Sequence, residues 1–67
     1  MEILSNRLKE LRKQKEINQK EIADFLGINR VTYTGYETNK HEPSLEILLK
    51  IASFYKVSVD YLMGRYE

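Results

Sequence analysis

Leu4, Leu8 and Leu11 recur at i, i+4 and i+7, a spacing that puts them on one face of a first helix over residues 5–15. Asn18 followed by Glu21 forms an N-x-x-E capping box, so a second helix opens at residue 19, with Ile22, Ala23 and Leu26 on one face. Gly27 stops it at residue 26, because glycine takes the left-handed conformation of a sharp C-terminal turn without steric cost. Asn29 caps a third helix over 30–37. Pro43 then blocks continuation and Ser44 caps a fourth, 45–55, whose Glu46 suits the positive end of the helix dipole. Only Glu46, Lys50 and Ser53 break its apolar surface, which marks it as a buried hub with one flank left open near Phe54. Ser58 caps a short fifth helix, 59–63, and Gly64 ends it, with Val57, Val59 and Leu62 free to dock on the hub. The pattern predicts an all-α, compact bundle of five short helices in a single domain, 1–67.

The third helix departs from the usual division into apolar and charged faces. At about 100° per residue, Tyr33 and Tyr36 share one side, with Thr32 and Glu37 flanking them. Arg30, Val31, Thr34, Gly35 and Thr38 share the other, which carries one arginine and otherwise small groups where a solvated helix would carry Lys and Glu. Such a face can lie close against something. Two helices joined by a tight turn, the second with a low-profile outer side, have the form of a helix-turn-helix that docks in a DNA major groove. An αα-hairpin packed for its own sake has the same pattern, since a fold does not fix a function.

Composition narrows the choice. In 67 residues with no Cys and one His, disulfides and thiolate metal sites are excluded, and a core this small rests on helix packing, with self-association as added support. The absence of Cys, of a signal-peptide core and of a long apolar run implies a cytoplasmic protein with no membrane partner. Net charge is only +1, but residues 1–40 hold eight Lys/Arg against six Asp/Glu, and residues 41–67 hold three against four. The basic excess therefore travels with the helix-turn-helix, and so mild an excess implies few phosphate contacts per copy and two copies acting together.

In the loop after the third helix, Asn39 suits the left-handed cap position and Lys40 with freed backbone amides could meet a phosphate; an ordinary exposed loop is the alternative. His41 is read as solvated, with no ligand partners for a metal or general-base role. Lys9 and Lys13 on the first helix are read as a solvated flank. Tyr61 reads as a surface aromatic or as a self-association contact.

From Arg7 to Gly64 the chain resembles the Cro and phage-repressor-like, or XRE-type, helix-turn-helix family, whose members have a lambda-repressor-like DNA-binding domain. The matching residues are Arg7-Leu8-Lys9-Glu10-Leu11-Arg12, Asn18-Gln19-Lys20-Glu21-Ile22-Ala23, Leu26-Gly27, Tyr36-Glu37, Lys40, Pro43-Ser44-Leu45-Glu46 and Val57-Ser58-Val59-Asp60-Tyr61-Leu62. The resemblance implies a sequence-specific transcriptional regulator, a repressor of prophage or mobile-element type that binds a pseudo-palindrome in double-stranded DNA as a homodimer. It implies base-facing positions at Asn29, Arg30, Val31, Thr34 and Gly35, and backbone contacts from Gln19, Lys20, Thr32, Thr38, Asn39 and Lys40. It also implies a structural ion pair between Arg12 and Glu37. Dimer contacts are expected at Phe54, Val59 and Tyr61. Two departures stand out: many relatives have a long polar side chain where this chain has Gly35, and glycine where it has Asn39. Gly35 costs the helix about 1 kcal/mol relative to Ala, which a close approach to DNA or to a neighbouring helix would offset.

The rival function is a protein-interaction module of the same fold, antitoxin-like, with Phe54, Tyr61 and Tyr66 as its surface and DNA binding secondary. No cofactor, metal site or small-molecule ligand is implied. An enzyme is not, since the chain has no paired acid, no nucleophile with a base and no phosphate-cradling glycine loop.

Overall fold

The structure is a computed structural model that describes residues 1–65. Its helices are α1 Glu2–Lys15, α2 Gln19–Leu26, α3 Arg30–Glu37, α4 Leu45–Tyr55 and α5 Val59–Leu62. Local chemistry sets the starts of four of them. Asn18 Oδ1 accepts the Glu21 amide at 2.8 Å while Glu21 Oε1 accepts the Asn18 amide at 2.8 Å, closing the capping box. Asn29, Ser44 and Ser58 each accept the amide of the residue three places on, at 2.8, 3.2 and 2.9 Å.

Helix α1 begins at Glu2, earlier than the expected start at residue 5, because Ser5 has another task. It is buried inside the helix, and its hydroxyl donates to the Met1 carbonyl at 3.1 Å and the Tyr36 carbonyl at 2.8 Å. Helix α1 is thereby fastened to the end of α3. The turn after α2 is made by Gly27 at φ 75°, whereas Glu16, Asn39 and Lys56 take the left-handed conformation without being glycine.

The main helix contacts run in a ring: α1 against α3, α3 against α2, α2 against α4, α4 against α5, and α5 back against α1. Leu8, Ile22, Leu26, Tyr33, Ile51 and Leu62 fill the middle. Helix α4 is one member of this ring rather than a hub. Its Leu48, Ile51 and Ala52 are buried, but Leu45 and Leu49 stand 67% and 54% exposed. A bundle this small has no element left to cover that flank, and the open edge is at these leucines rather than at Phe54. No helix among the described residues is long and apolar enough to cross a membrane.

Candidate nucleic-acid interface

Helix α3 divides into two sides, and the inner one is built around a carboxylate. Glu37 is 2% exposed. Arg12 grips it bidentately, Nε to Oε2 at 2.7 Å and Nη2 to Oε1 at 3.2 Å, while Arg12 Nη1 donates to the Ile17 carbonyl at 3.0 Å. The Tyr33 hydroxyl donates to Oε2 at 2.6 Å and Gln19 Nε2 to Oε1 at 3.1 Å. Burial by itself would raise the Glu37 carboxyl, but the bonds from Arg12, Tyr33 and Gln19 outweigh it and hold the pKa below the ordinary value. Burial first, and then the bond to Glu37, push the Tyr33 phenol far upward. Arg12 therefore ties α1 to the last residue of α3, and Gln19 ties α2 to the same atoms. Orientation of the helix is fixed from within.

On the outer side, Arg30 is exposed and its guanidinium forms no hydrogen bond or ion pair with the described residues. Val31 is 79% exposed, an unusual state for an apolar side chain beside a buried Tyr33. The Thr34 hydroxyl donates inward to Gln19 Oε1 at 2.7 Å, which leaves its methyl as the outward group. Asn29 spends its carbonyl oxygen on the Thr32 amide, so its NH2 group is what remains to donate outward. Gln19, expected to turn its amide to the DNA backbone, has its oxygen on Thr34 and one N–H on Glu37; a single N–H is left over. Lys20 pairs with Asp24 at 2.9 Å, an exposed i,i+4 pair worth about 0.3–0.5 kcal/mol that a phosphate can displace. Thr32 is partly buried by its place in the first turn.

Gly35 corrects the sequence reading. It is buried, not bare, and the His41 ring covers it: a Cβ built there would lie 2.1 Å from His41 Cδ2 and 2.9 Å from Nε2. The loop folds back because the Gly35 carbonyl accepts the Lys40 and His41 amides at 2.9 and 3.2 Å. Thr38 adds a hydroxyl bond to the Thr34 carbonyl at 3.0 Å, and Asn39 at φ 63° makes the reversal. As a result Arg30, Val31, Thr34, Thr38, Lys40 and His41 line one open depression of about 480 Å³. Beside it, Arg12, Asn18, Gln19, Lys20 and Arg30 line a second. Sequence reasoning missed His41 as part of this surface; an unoccupied glycine on the preceding helix, opposite a loop aromatic, was the available signal.

The residues marked for self-association are mostly occupied. Phe54 packs against Phe25 with the rings tilted at 47° and their centroids 4.6 Å apart, and lies under Lys15 Nζ at 5.4 Å. Tyr61 carries the Arg7 guanidinium 4.1 Å above its ring, and Val59 is half-buried against the core. Tyr66 lies outside the described residues. Among those residues no group of His, Asp or Glu is arranged to hold a metal ion.

Two short helices crossing at a glycine turn, the second locked from inside and open outside, define a helix-turn-helix domain with a repressor-like five-helix frame. The chain belongs to the helix-turn-helix family, whose profile matches residues 8–62. It is 45% identical over 90% of its length to the HTH-type transcriptional regulator AnsR of Bacillus subtilis, and 34% identical over 97% to the cryptic phage CTXphi transcriptional repressor RstR of Vibrio cholerae. It spans 52% of the first and 59% of the second, little more than half the length of these curated relatives. The P22 c2 repressor, solved in complex with a synthetic operator, superposes with a TM-score of 0.87 at 27% identity, over 94% of this chain and 96% of that one.

Proposed function

We propose that the chain is the DNA-reading domain of a cytoplasmic, sequence-specific transcriptional repressor that acts without enzymatic chemistry. The observation that carries this reading is the division of α3: its inner carboxylate, Glu37, is tied to Arg12 of α1 and Gln19 of α2, while on the outer side Arg30 is unpaired and Val31 uncovered. An exposed valine next to an unpaired arginine is a poor solvated surface and a good groove surface. Arg30 would read a guanine, whose O6 and N7 match the guanidinium fork, and Val31 or the Thr34 methyl would touch a thymine methyl. Asn29, whose NH2 group remains to donate, would face the base edges beside Arg30. The remaining Gln19 N–H, Lys20, Thr32, Thr38, Asn39 and Lys40 flank that strip and would hold the phosphates. Likeness to a repressor solved on its operator supports the same orientation.

Two copies would bind a pseudo-palindrome with their recognition helices about 34 Å apart, one turn of DNA. The half-buried Phe54, Val59 and Tyr61 remain the proposed contacts between copies, joined by the more exposed Leu45 and Leu49. Selection of bound duplexes from a random pool tests the reading directly: a two-fold symmetric consensus with half-sites one turn apart is expected, and retention of every duplex alike at all salt concentrations would overturn it.

A further inference from the structure

Gly35 and His41 form a matched pair that neither backbone clamping nor core packing explains. The ring of His41 occupies the volume into which a side chain at position 35 would project, with Cδ2 at 2.1 Å and Nε2 at 2.9 Å from the place its Cβ would take. His41 is nonetheless exposed, and its ring nitrogens form no hydrogen bond with the described residues. It lines the same depression as Arg30, Val31 and Thr34. A ring seated over the Gly35 backbone, with its Cδ2–Nε2 edge beside the helix and its nitrogens unpaired, has lost much of the freedom that a loop side chain normally keeps.

We infer that His41 is a specificity-determining residue that reads a base edge in the major groove, taking from the loop the place that a side chain at position 35 would take from the helix. The inference rests on the regulator reading above. A neutral imidazole offers one donor and one acceptor, so it can donate to a purine N7 or a guanine O6 beside the base pair facing Arg30. Gly35 is the enabling partner: any larger residue there evicts the ring. This accounts for a glycine inside an eight-residue helix, where it otherwise only weakens the helix.

The test uses the wild-type chain to select duplexes from a randomised pool, then measures His41→Ala, Gly35→Ala and the double variant on the recovered consensus and on single-base changes of it. His41→Ala is expected to lower affinity for the consensus by about tenfold and to flatten preference at one base pair per half-site, leaving the other positions unchanged. Gly35→Ala should flatten the same position while its thermal midpoint stays level or rises, since Ala favours the helix. The double variant should be no worse than either single one. Equal loss on all duplexes after His41→Ala, or an unchanged preference profile in Gly35→Ala, would overturn the inference while leaving the regulator reading intact. A wild-type chain that selects no consensus would instead sink the regulator reading, and this inference with it.

Discussion

The two sides of α3 show opposite treatments of polar groups within a single eight-residue helix. On the inner side Glu37 accepts bonds from Arg12, Tyr33 and Gln19 in a nearly water-free setting. On the outer side Arg30 is left unpaired and Val31 is left uncovered. Stability lives on the first side, and the proposed recognition on the second. Gln19 and Thr34 stand at the boundary, linked at 2.7 Å, so a change of partner at one is felt by the other. Substitutions should separate accordingly, into those that unfold the domain and those that only blind it.

The largest effect is expected from Arg12→Ala. Removing one partner of a buried pair leaves Glu37 charged and desolvated, at a cost of about 3–5 kcal/mol. For a domain of this size that is most of the total stability. Thermal or urea denaturation monitored by circular dichroism should show a molecule largely unfolded near 37 °C. Replacing both partners by apolar residues should not restore it fully, because the Tyr33 hydroxyl and the Gln19 amide would lose their acceptor.

Acid probes the same carboxylate. The folded pKa of Glu37 lies below its unfolded value, so its contribution is complete above the unfolded pKa of about 4.3 and is lost as pH falls through the lower folded value. Urea midpoints should therefore decline as pH is lowered from about 5 toward 3. In Glu37→Gln the decline should be shallower, though its starting stability will be lower. A wild-type slope matching that of the variant would assign the acid sensitivity to the surface carboxylates instead.

Binding, not folding, should respond to the outer side. Arg30→Ala is expected to weaken specific binding by about 1–3 kcal/mol and to relax preference at one base pair, with the thermal midpoint unchanged. Equal loss on specific and random duplexes would mean that Arg30 meets only phosphate. Gln19→Ala should weaken both kinds of duplex alike. Because Gln19 also bonds Glu37 and Thr34, it should lower the midpoint as well, which marks it as a boundary residue.

Much of this was legible before any coordinates. The capping residues Asn18, Asn29, Ser44 and Ser58 fix where four helices begin, because a cap is a local bond between residues three apart. Tyr33 and Tyr36 point inward as their spacing implies. What failed was non-local. Helix α4 is apolar nearly all round, so its pattern cannot say which flank the bundle leaves open, and that flank holds Leu45 and Leu49. Gly35 falls on the outer arc by angle alone, but a loop six residues on folds back over it, which no helical periodicity records. The spacing leaves Tyr61 as a surface aromatic or a self-association contact, because nothing in it brings Arg7 above the ring. Ser5, read as a helix start, is a cross-link to the Tyr36 carbonyl.

A buried hydroxyl beside that inner carboxylate carries the smallest prediction. Tyr55 at the end of α4 is pushed up to a pKa of about 12, first by burial and then by the negative charge of Glu37, and its hydroxyl has no hydrogen-bond partner among the described residues. A buried hydroxyl without a partner forfeits its hydration for nothing, so Tyr55→Phe removes a cost without opening a cavity. The variant should be as stable as the wild type or more stable by up to about 1 kcal/mol, measured by urea denaturation at neutral pH. Its operator affinity should not change, since no atom of Tyr55 lines the outer depressions. A clear loss of stability would mean that the hydroxyl has a bonding partner after all, most simply a water bridging it to the Arg12 and Glu37 pair, and the inner side of the comparison would then extend without a break into α4.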